Sequence, residues 1–180
     1  MSSPGTGPQR GPEPAAGDGR HLPPSALRVR RALAAAGLGE GIRRYPEGTR
    51  TAVDAARAIG CPVGAIVKSL VFVAGDEPLL VLVSGSNRVD VAALAAHLGR
   101  PVRRADAGEV RRATGFAIGG VPPLGHPRAL RTLADPALML YDEVWAAAGT
   151  PDSVFPAAPA ELLRACGAQP APGDVFRPHA

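Results

Sequence analysis

The single lysine of the chain, Lys68, is the residue whose type and setting most favour a chemical role. Of the twenty Lys and Arg residues, the other nineteen are arginines. Such a bias is typical of a GC-rich coding sequence, in which a lysine that arginine can replace tends to be lost. A lysine that persists raises the question of what a compact, titratable ammonium does there that a guanidinium cannot do.

The run 66–73 predicts a strand in which Lys68 shares one face with bulky apolar side chains. An ammonium on such a face must reach solvent, meet an anionic partner or lose its proton. Two interpretations stay open: a lysine at a sheet edge that reaches water, and a lysine that faces a ligand inside a pocket. The neighbouring Ser69 points to the opposite face, which disfavours a Ser-Lys nucleophilic dyad unless the strand has a bulge.

A glycine- and proline-rich loop over 115–126 is the second candidate for chemistry. Gly119 and Gly120, followed by two prolines, predict a rigid loop whose backbone amides are not covered by side chains. Such amides bind a phosphate or stabilise an oxyanion, and the alternative is an ordinary tight surface loop. The glycine spacing does not match a dinucleotide-binding fingerprint, and the residues before Lys68 do not match a P-loop.

The other titratable residues form no recognised catalytic set. The sequence contains no nucleophile elbow, no zinc-binding H-E-x-x-H motif and no close carboxylate pair with helical spacing. His126, inside the Gly/Pro loop, is the one histidine worth testing, since His21 and His179 fall in expected tails and His97 lies near a helix end. Two cysteines exclude a disulfide framework and a Cys-rich zinc site. We expect no metal and no cofactor.

Eight of the nineteen arginines occur in adjacent pairs, at 30–31, 43–44, 103–104 and 111–112. Such pairs usually form a solvated face, but with a net charge of +4 they also suit a phosphate backbone. The aromatic content of 4% is scattered and provides no base-stacking platform. Any contact with RNA is therefore expected to recognise backbone and ends rather than sequence.

Composition predicts one folded domain between two flexible ends. Residues 1–24 are rich in Pro and Gly and poor in apolar side chains, which predicts a disordered arm. Residues 168–180, with three prolines, are expected to form a C-terminal tail, so the folded unit spans 25–167. No apolar run is long enough to span a membrane and no secretory signal is visible, so we expect a cytoplasmic protein.

Capping residues and apolar periodicity predict short helices that alternate irregularly with short strands. Helices are expected at 25–36, 52–59, 90–98, 106–114 and 159–166. Strands are expected at 42–45, 66–73, 79–83, 102–105, 137–140, 144–147 and 153–155, the second and third as a hairpin. This order favours a single compact mixed α/β (α+β) domain over a doubly wound sheet.

Three segments, in this order and spacing, resemble the YbaK/ProX family of aminoacyl-tRNA deacylases. They are 48–56 (GTRTAVDAA), 66–72 (IVKSLVF) and the G-x-x-x-P loop from Gly119 to Pro123. The resemblance covers residues 25–166. It implies a curved mixed sheet that encloses a pocket, with short flanking helices. The family exists as free-standing proteins and as the editing domain inserted in bacterial prolyl-tRNA synthetase.

The resemblance also implies an activity, hydrolysis of the ester that joins a wrong amino acid to the 3′ end of a tRNA. The tRNA implied is that for proline, carrying a small residue such as Ala, Cys, Ser or Thr. Mischarged tRNA is then the partner, and prolyl-tRNA synthetase is a second candidate partner. The competing interpretations are a non-catalytic tRNA-binding or regulatory module of the same fold, and a hydrolase of another ester that uses His126 and Ser69.

Residue roles follow from the same resemblance. The functional lysine of the family falls on Lys68, and its G-x-x-x-P loop falls on Gly119 to Pro123. The exposed amides of Gly119 and Gly120 are our candidates for stabilising the oxyanion of the ester. Further substrate-binding candidates are Ser69, Thr51, Pro123, Gly149, Thr150 and His126, the last outside the family pattern. The substrate's own 2′-hydroxyl, or the thiol of a cysteinyl substrate, can replace a protein acid-base pair.

Overall fold

The computed structural model describes residues 21–46 and 49–179. Within these ranges the helices are α1 (Pro24–Ala35), α2 (Ala52–Ile59), α3 (Val91–Leu98), α4 (Ala107–Thr114) and α5 (Pro159–Ala165). The strands are β1 (Arg43–Arg44), β2 (Ile66–Ala74), β3 (Glu77–Ser84), β4 (Asn87–Val89), β5 (Val102–Arg104), β6 (Arg131–Ala134), β7 (Val144–Ala147), β8 (Ser153–Ala157), β9 (Gln169–Pro170) and β10 (Phe176–Pro178). None of the described helices has the length and apolar character needed to cross a membrane.

Local capping explains where the middle helices begin and end. The side chains of Thr51, Asp90 and Asp106 each accept a hydrogen bond from a backbone N–H in the first turn of α2, α3 and α4. Asp106 and Glu109 complete a reciprocal capping box. Each of these helices ends at a glycine in the left-handed conformation, as the sequence predicts.

The main sheet is mixed, with the order β1-β8-β7-β2-β3-β6-β9. The β2–β3 hairpin forms its centre as predicted, and β3 is also parallel to β6. Alternate side chains of β3 pack into two different apolar clusters, one on each face of the sheet. The centre of the sheet is therefore buried on both faces, which explains the nearly unbroken aliphatic sequence of β3.

The edge of β2 opposite β3 is split between two partners. The parallel strand β7 pairs with Ile66–Val67, and the antiparallel strand β5 pairs with Phe72–Ala74. Between them, residues 68–71 have no strand partner on that edge among the described residues. Because β7 and β5 diverge, a gap opens in the sheet beside Lys68. The residues of β2 along this gap line the main cavity.

The segment after α5 corrects the prediction of a C-terminal tail at 168–180. Residues 169–170 add β9 to the main sheet, and β10 forms an antiparallel pair with β4. Ala171, Val175 and Phe176 are buried in the apolar cluster that contains α3. The prolines of this segment lie in short strands and turns, and a few apolar side chains provide enough burial to order it.

Other differences from the sequence prediction are smaller. Residues 136–140 form a 3-10 helix where the sequence predicts a strand at 137–140. The helix begins there because the Asp135 side chain accepts a hydrogen bond from the backbone N–H of Ala137 and because Pro136 occupies the first turn. The short strands β4 and β6 were not predicted, since neither has an alternating apolar pattern of sufficient length. The predicted disordered arm lies outside the described residues up to position 20, and α1 begins at Pro24.

Candidate functional site

A cavity of about 1060 Å³ lies at the split edge of β2. Its wall combines apolar side chains from β2, β7 and α2 with polar and cationic ones. The cationic members are Arg50, Lys68, Arg88 and Arg104, and the other polar side chains are Thr49, Thr51, Ser69, Ser86 and His179. No Asp or Glu lies among these described wall residues. The cavity therefore suits an anionic ligand with one apolar part.

The Lys68 side chain extends from β2 into this cavity and is half-buried. Its Nζ donates a hydrogen bond to the backbone carbonyl of Asn87 and lies 2.9 Å from Nε2 of His179. Burial lowers the pKa of Lys68 below its ordinary value; the nearby Arg104 guanidinium lowers this pKa further, and Asp135 opposes the change. Of the two interpretations left open, the lysine inside a pocket is the one that the geometry supports.

The buried carboxylate of Asp135 fixes the position of Lys68 indirectly, through Asn87. Asp135, 2% exposed, accepts hydrogen bonds from the backbone N–H of Ser84 and from Nδ2 of Asn87, the latter at 2.8 Å. Because the Asn87 side chain is held by Asp135, its backbone carbonyl is fixed where Lys68 needs an acceptor. The chain Asp135–Asn87–Lys68 thus links the sheet interior to the cavity.

Ser69 contributes backbone polar groups to the same gap. The carbonyl of Ile66 accepts a bond from Gly85 on the β3 edge, and that of Val71 accepts one from Ala105 on the β5 edge. Backbone groups alternate between edges along a strand, so the N–H and C=O of Ser69 face the unpaired gap. Its buried Oγ has no hydrogen-bond partner among the described residues. Nothing links Ser69 to the Lys68 amine, which leaves the dyad without support.

Thr51 lines the cavity, but its hydroxyl is already engaged. Its Oγ1 accepts the N–H of Asp54 at 3.0 Å and donates to the Asp54 carboxylate at 2.7 Å. These contacts are those of a helix cap. We therefore assign Thr51 a structural role at the rim of the cavity, where it fixes the start of α2.

The two loop glycines have different environments. Gly119 is exposed, lines the cavity and has a φ of +89°. Gly120 is buried, and its N–H donates to the carbonyl of Ala117 at 3.0 Å. The Gly120 amide is thereby occupied by a turn, so of the predicted pair of oxyanion donors the N–H of Gly119 is the one that stays a candidate.

Gly149 and Thr150 lie behind this loop rather than in the cavity wall. A methyl group on Gly120 would approach the carbonyl oxygen of Gly149 to 2.8 Å and the Cα of Thr150 to 2.9 Å. The Thr150 hydroxyl bonds to Asp152 and Ser153, each at 2.6 Å. These contacts make the 149–150 segment a rigid support against which the Gly119 loop packs.

His126 and Pro123 also lie outside the cavity wall. The Nε2 atom of His126 is 2.8 Å from the carbonyl oxygen of Pro122, and its ring packs edge-on against Phe116. Burial lowers the pKa of His126. Pro123 is buried in the same loop. The geometry separates His126 from Ser69, so a hydrolase built on those two residues has no structural support.

The sequence prediction missed several residues that surround Lys68. Asn87, Arg88 and Asp135 belong to no motif, and the sequence marks Arg104 only as part of a charged pair. His179 falls in the segment that the sequence predicts to be a tail. The one available signal was the group of apolar residues at 171, 175 and 176, which indicates that the segment before His179 packs on the domain.

A second, smaller cavity of about 640 Å³ contains none of the predicted site residues. Arg103 and Arg112 lie in its wall together with Glu109, which forms two hydrogen bonds of 2.7 and 2.8 Å with the Arg103 guanidinium. The ion pair lowers the pKa of Glu109 to about 2. Arg103 is therefore paired with a carboxylate of the protein itself, and of the predicted 103–104 pair only Arg104 faces the main cavity.

The described residues thus form a small mixed α/β domain with a split sheet and a lysine-centred cavity whose described wall contains no carboxylate. Comparison with known proteins identifies it: the aminoacyl-tRNA editing domain matches residues 46–165, two thirds of the chain. The chain belongs to this family, and the resemblance to YbaK/ProX proteins is confirmed.

Individual relatives agree with this assignment. A crystal structure of a "putative trans-editing enzyme for prolyl tRNA synthetase" is 51% identical, with a TM-score of 0.79, over 84% of this chain and 97% of that one. The uncharacterized protein YwhH of Bacillus subtilis is 30% identical over 67% of this chain and 78% of its own length. A proline--tRNA ligase of Ligilactobacillus salivarius is 34% identical over 48% of this chain, but over only 15% of the ligase.

Proposed function

We propose that this protein is a trans-editing deacylase that hydrolyses the ester of mischarged tRNA. The observation that carries the proposal is the Lys68 cavity at the split edge of β2, in a chain of the aminoacyl-tRNA editing family. Water adds to the ester carbonyl, the bond to the 3′ oxygen breaks, and a proton passes to that oxygen. The products are the free amino acid and an uncharged tRNA.

The charges of the wall support an RNA-end substrate. Arg50, Arg88 and Arg104 surround the cavity together with Lys68, so the last phosphates of the acceptor end meet cations on several sides. With a volume of about 1060 Å³, the cavity is at the upper end of common ligand pockets, enough for a terminal nucleoside and a small aminoacyl group.

The absence of carboxylates from the described wall bears on how the water is activated. An aminoacyl ester is already reactive, so positioning and oxyanion stabilisation supply most of the required rate enhancement. The 2′-hydroxyl of the terminal ribose then acts on the water in place of a protein base. Lys68 holds the terminal phosphate or the carbonyl end of the ester, and the backbone groups of Ser69 at the gap are free to bind the substrate's amino end.

The finer specificity belongs to the same proposal. The relatives that are prolyl-tRNA ligases, and the trans-editing description of the 51% identical structure, favour tRNA for proline with a small wrong residue. Prolyl-tRNA synthetase is proposed as a partner on the same grounds. A pocket discriminates by only about 1–3 kcal/mol per methylene, so Ala, Cys, Ser and Thr all remain in the panel to be tested.

The test is a panel of tRNAs for proline charged with Ala, Cys, Ser, Thr or Pro and incubated with the purified protein. We expect one or more of the small mischarged residues to be released at least about 10²-fold faster than proline, the product of size discrimination and positioning. Lack of turnover of every member would contradict the deacylase. Salt-sensitive tRNA binding without turnover would instead favour the non-catalytic module of the same fold.

Gly119→Ala tests the oxyanion role of the loop. The added methyl meets only the Pro151 side chain at 3.7 Å, but alanine is strained at a φ of +89°, so the peptide must rotate and its N–H must move. We expect kcat to fall by about 10²-fold, with a smaller change in KM. The matched control is Gly167→Ala, at a φ of +60° with no neighbour within 4 Å and outside the cavity wall. Equal activity of both variants would remove the oxyanion role from Gly119.

A further inference from the structure

The residue that follows β10 is brought to the functional lysine by strand pairing. β10 lies antiparallel to β4, and the register places Pro178 opposite Asn87. The N–H of His179 then donates to the carbonyl of Ser86 at 2.9 Å. His179 is thereby placed beside Lys68, 111 positions away in the sequence, with Nε2 at 2.9 Å from Nζ.

The strand before His179, β10, is anchored to the rest of the domain by two of its side chains. Phe176 is 7% exposed and packs in the cluster with α3, and the Arg177 guanidinium is 2.7 Å from the Asp90 carboxylate that caps α3. The strand before His179 is therefore anchored on both sides of its backbone. Because β10 is anchored in this way, His179 has a defined position relative to Lys68.

We propose that His179 is a positioning residue, which accepts a hydrogen bond from Lys68 and so directs the ammonium of the lysine into the cavity. This inference rests on the proposed function and deepens it. An ammonium has three N–H donors. Asn87 takes one, His179 takes the second, and the third is left for the substrate. Two fixed acceptors restrict the rotation of a flexible lysine, whose side chain otherwise samples many rotamers.

The experiment compares His179→Ala, His179→Gln and the control His97→Ala, an exposed histidine on α3 outside the cavity wall. The glutamine retains an acceptor but cannot serve as a general base. We expect His179→Ala to lower kcat by about tenfold through the loss of one hydrogen bond to a charged group, with KM little changed. His179→Gln should recover most of this loss, and His97→Ala should behave as the wild type.

A spectroscopic readout tests the contact without any turnover. Because Lys68 is the only lysine, lysine labelled at Cε and Nζ gives one NMR signal that reports its amine directly. We expect this signal to move in His179→Ala, to return close to the wild-type position in His179→Gln, and to stay unchanged in His97→Ala.

The outcomes separate this proposal from the proposed function. An unchanged lysine signal in His179→Ala would overturn the positioning role, whatever the activity. A glutamine variant as inactive as the alanine variant would overturn it as well, since that result indicates a general base. If the wild type hydrolyses no mischarged tRNA, the deacylase fails, but the lysine signal still decides whether His179 holds Lys68.

Discussion

Replacement of Lys68 by alanine is expected to reduce deacylation by at least about 10²-fold in kcat/KM, the usual effect of removing one electrostatic group from a hydrolytic site. Lys68→Arg should be nearly as damaging, although it conserves the charge. The Nζ atom fits as a compact donor between the Asn87 carbonyl and Nε2 of His179. A planar guanidinium places its donors differently and needs more room.

The measurement is release of the wrong amino acid from a mischarged tRNA under single-turnover conditions, with the melting temperature as a check on the fold. Arg164→Ala is the matched control, because it removes an exposed cation from α5, outside the cavity wall. Full activity of Lys68→Arg would show that only charge matters at this position. In that case the lone lysine of the sequence would have no special chemical role.

Gly149→Ala is expected to destabilise the fold strongly. Gly149 has a φ of +96°, and a methyl group there would lie 2.8 Å from the backbone carbonyl carbon and oxygen of Ser25 in α1. Neither a backbone clash nor this φ can be relieved by a side-chain movement. Strain and overpacking together should lower the free energy of unfolding by about 3–5 kcal/mol.

Substitutions at two other glycines separate the cost of a positive φ from the cost of the clash with α1. Gly167→Ala has a positive φ but open space, so it should cost about 1 kcal/mol of unfolding free energy. Gly41→Ala has neither a positive φ nor a neighbour within 4 Å and should be close to neutral. Urea unfolding of the three variants measures the series. A Gly149→Ala variant no less stable than Gly167→Ala would contradict the close approach of α1 to this turn.

Both expected effects converge on one arrangement. Gly149 lets α1 approach the turn at 149–150, this turn supports Gly120, and Gly120 fixes the loop that presents Gly119 to the cavity. On the opposite side, Asp135 and Asn87 fix Lys68. The candidate site is thus held by backbone packing on one side and by a hydrogen-bond network on the other.

The sequence by itself determined the local features. Side-chain caps at Thr51, Asp90 and Asp106 and the glycines that end these helices act within a few residues, so their pattern predicts helix bounds closely. The β2–β3 hairpin follows from two adjacent apolar runs. The lone lysine and the Gly/Pro loop stood out by composition, and the family motifs assigned them a role.

Only the tertiary structure decided which of these residues meet. The split between β7 and β5 that opens the cavity depends on strands far apart in the chain, and no local pattern specifies their pairing. The acceptors of Lys68 are 19 and 111 positions away, and the second is placed by the register of β10 on β4. A few buried side chains ordered a segment whose prolines predicted a tail. Those contacts turned His179 from an expected tail residue into a neighbour of Lys68, because burial and strand register are properties of the whole fold.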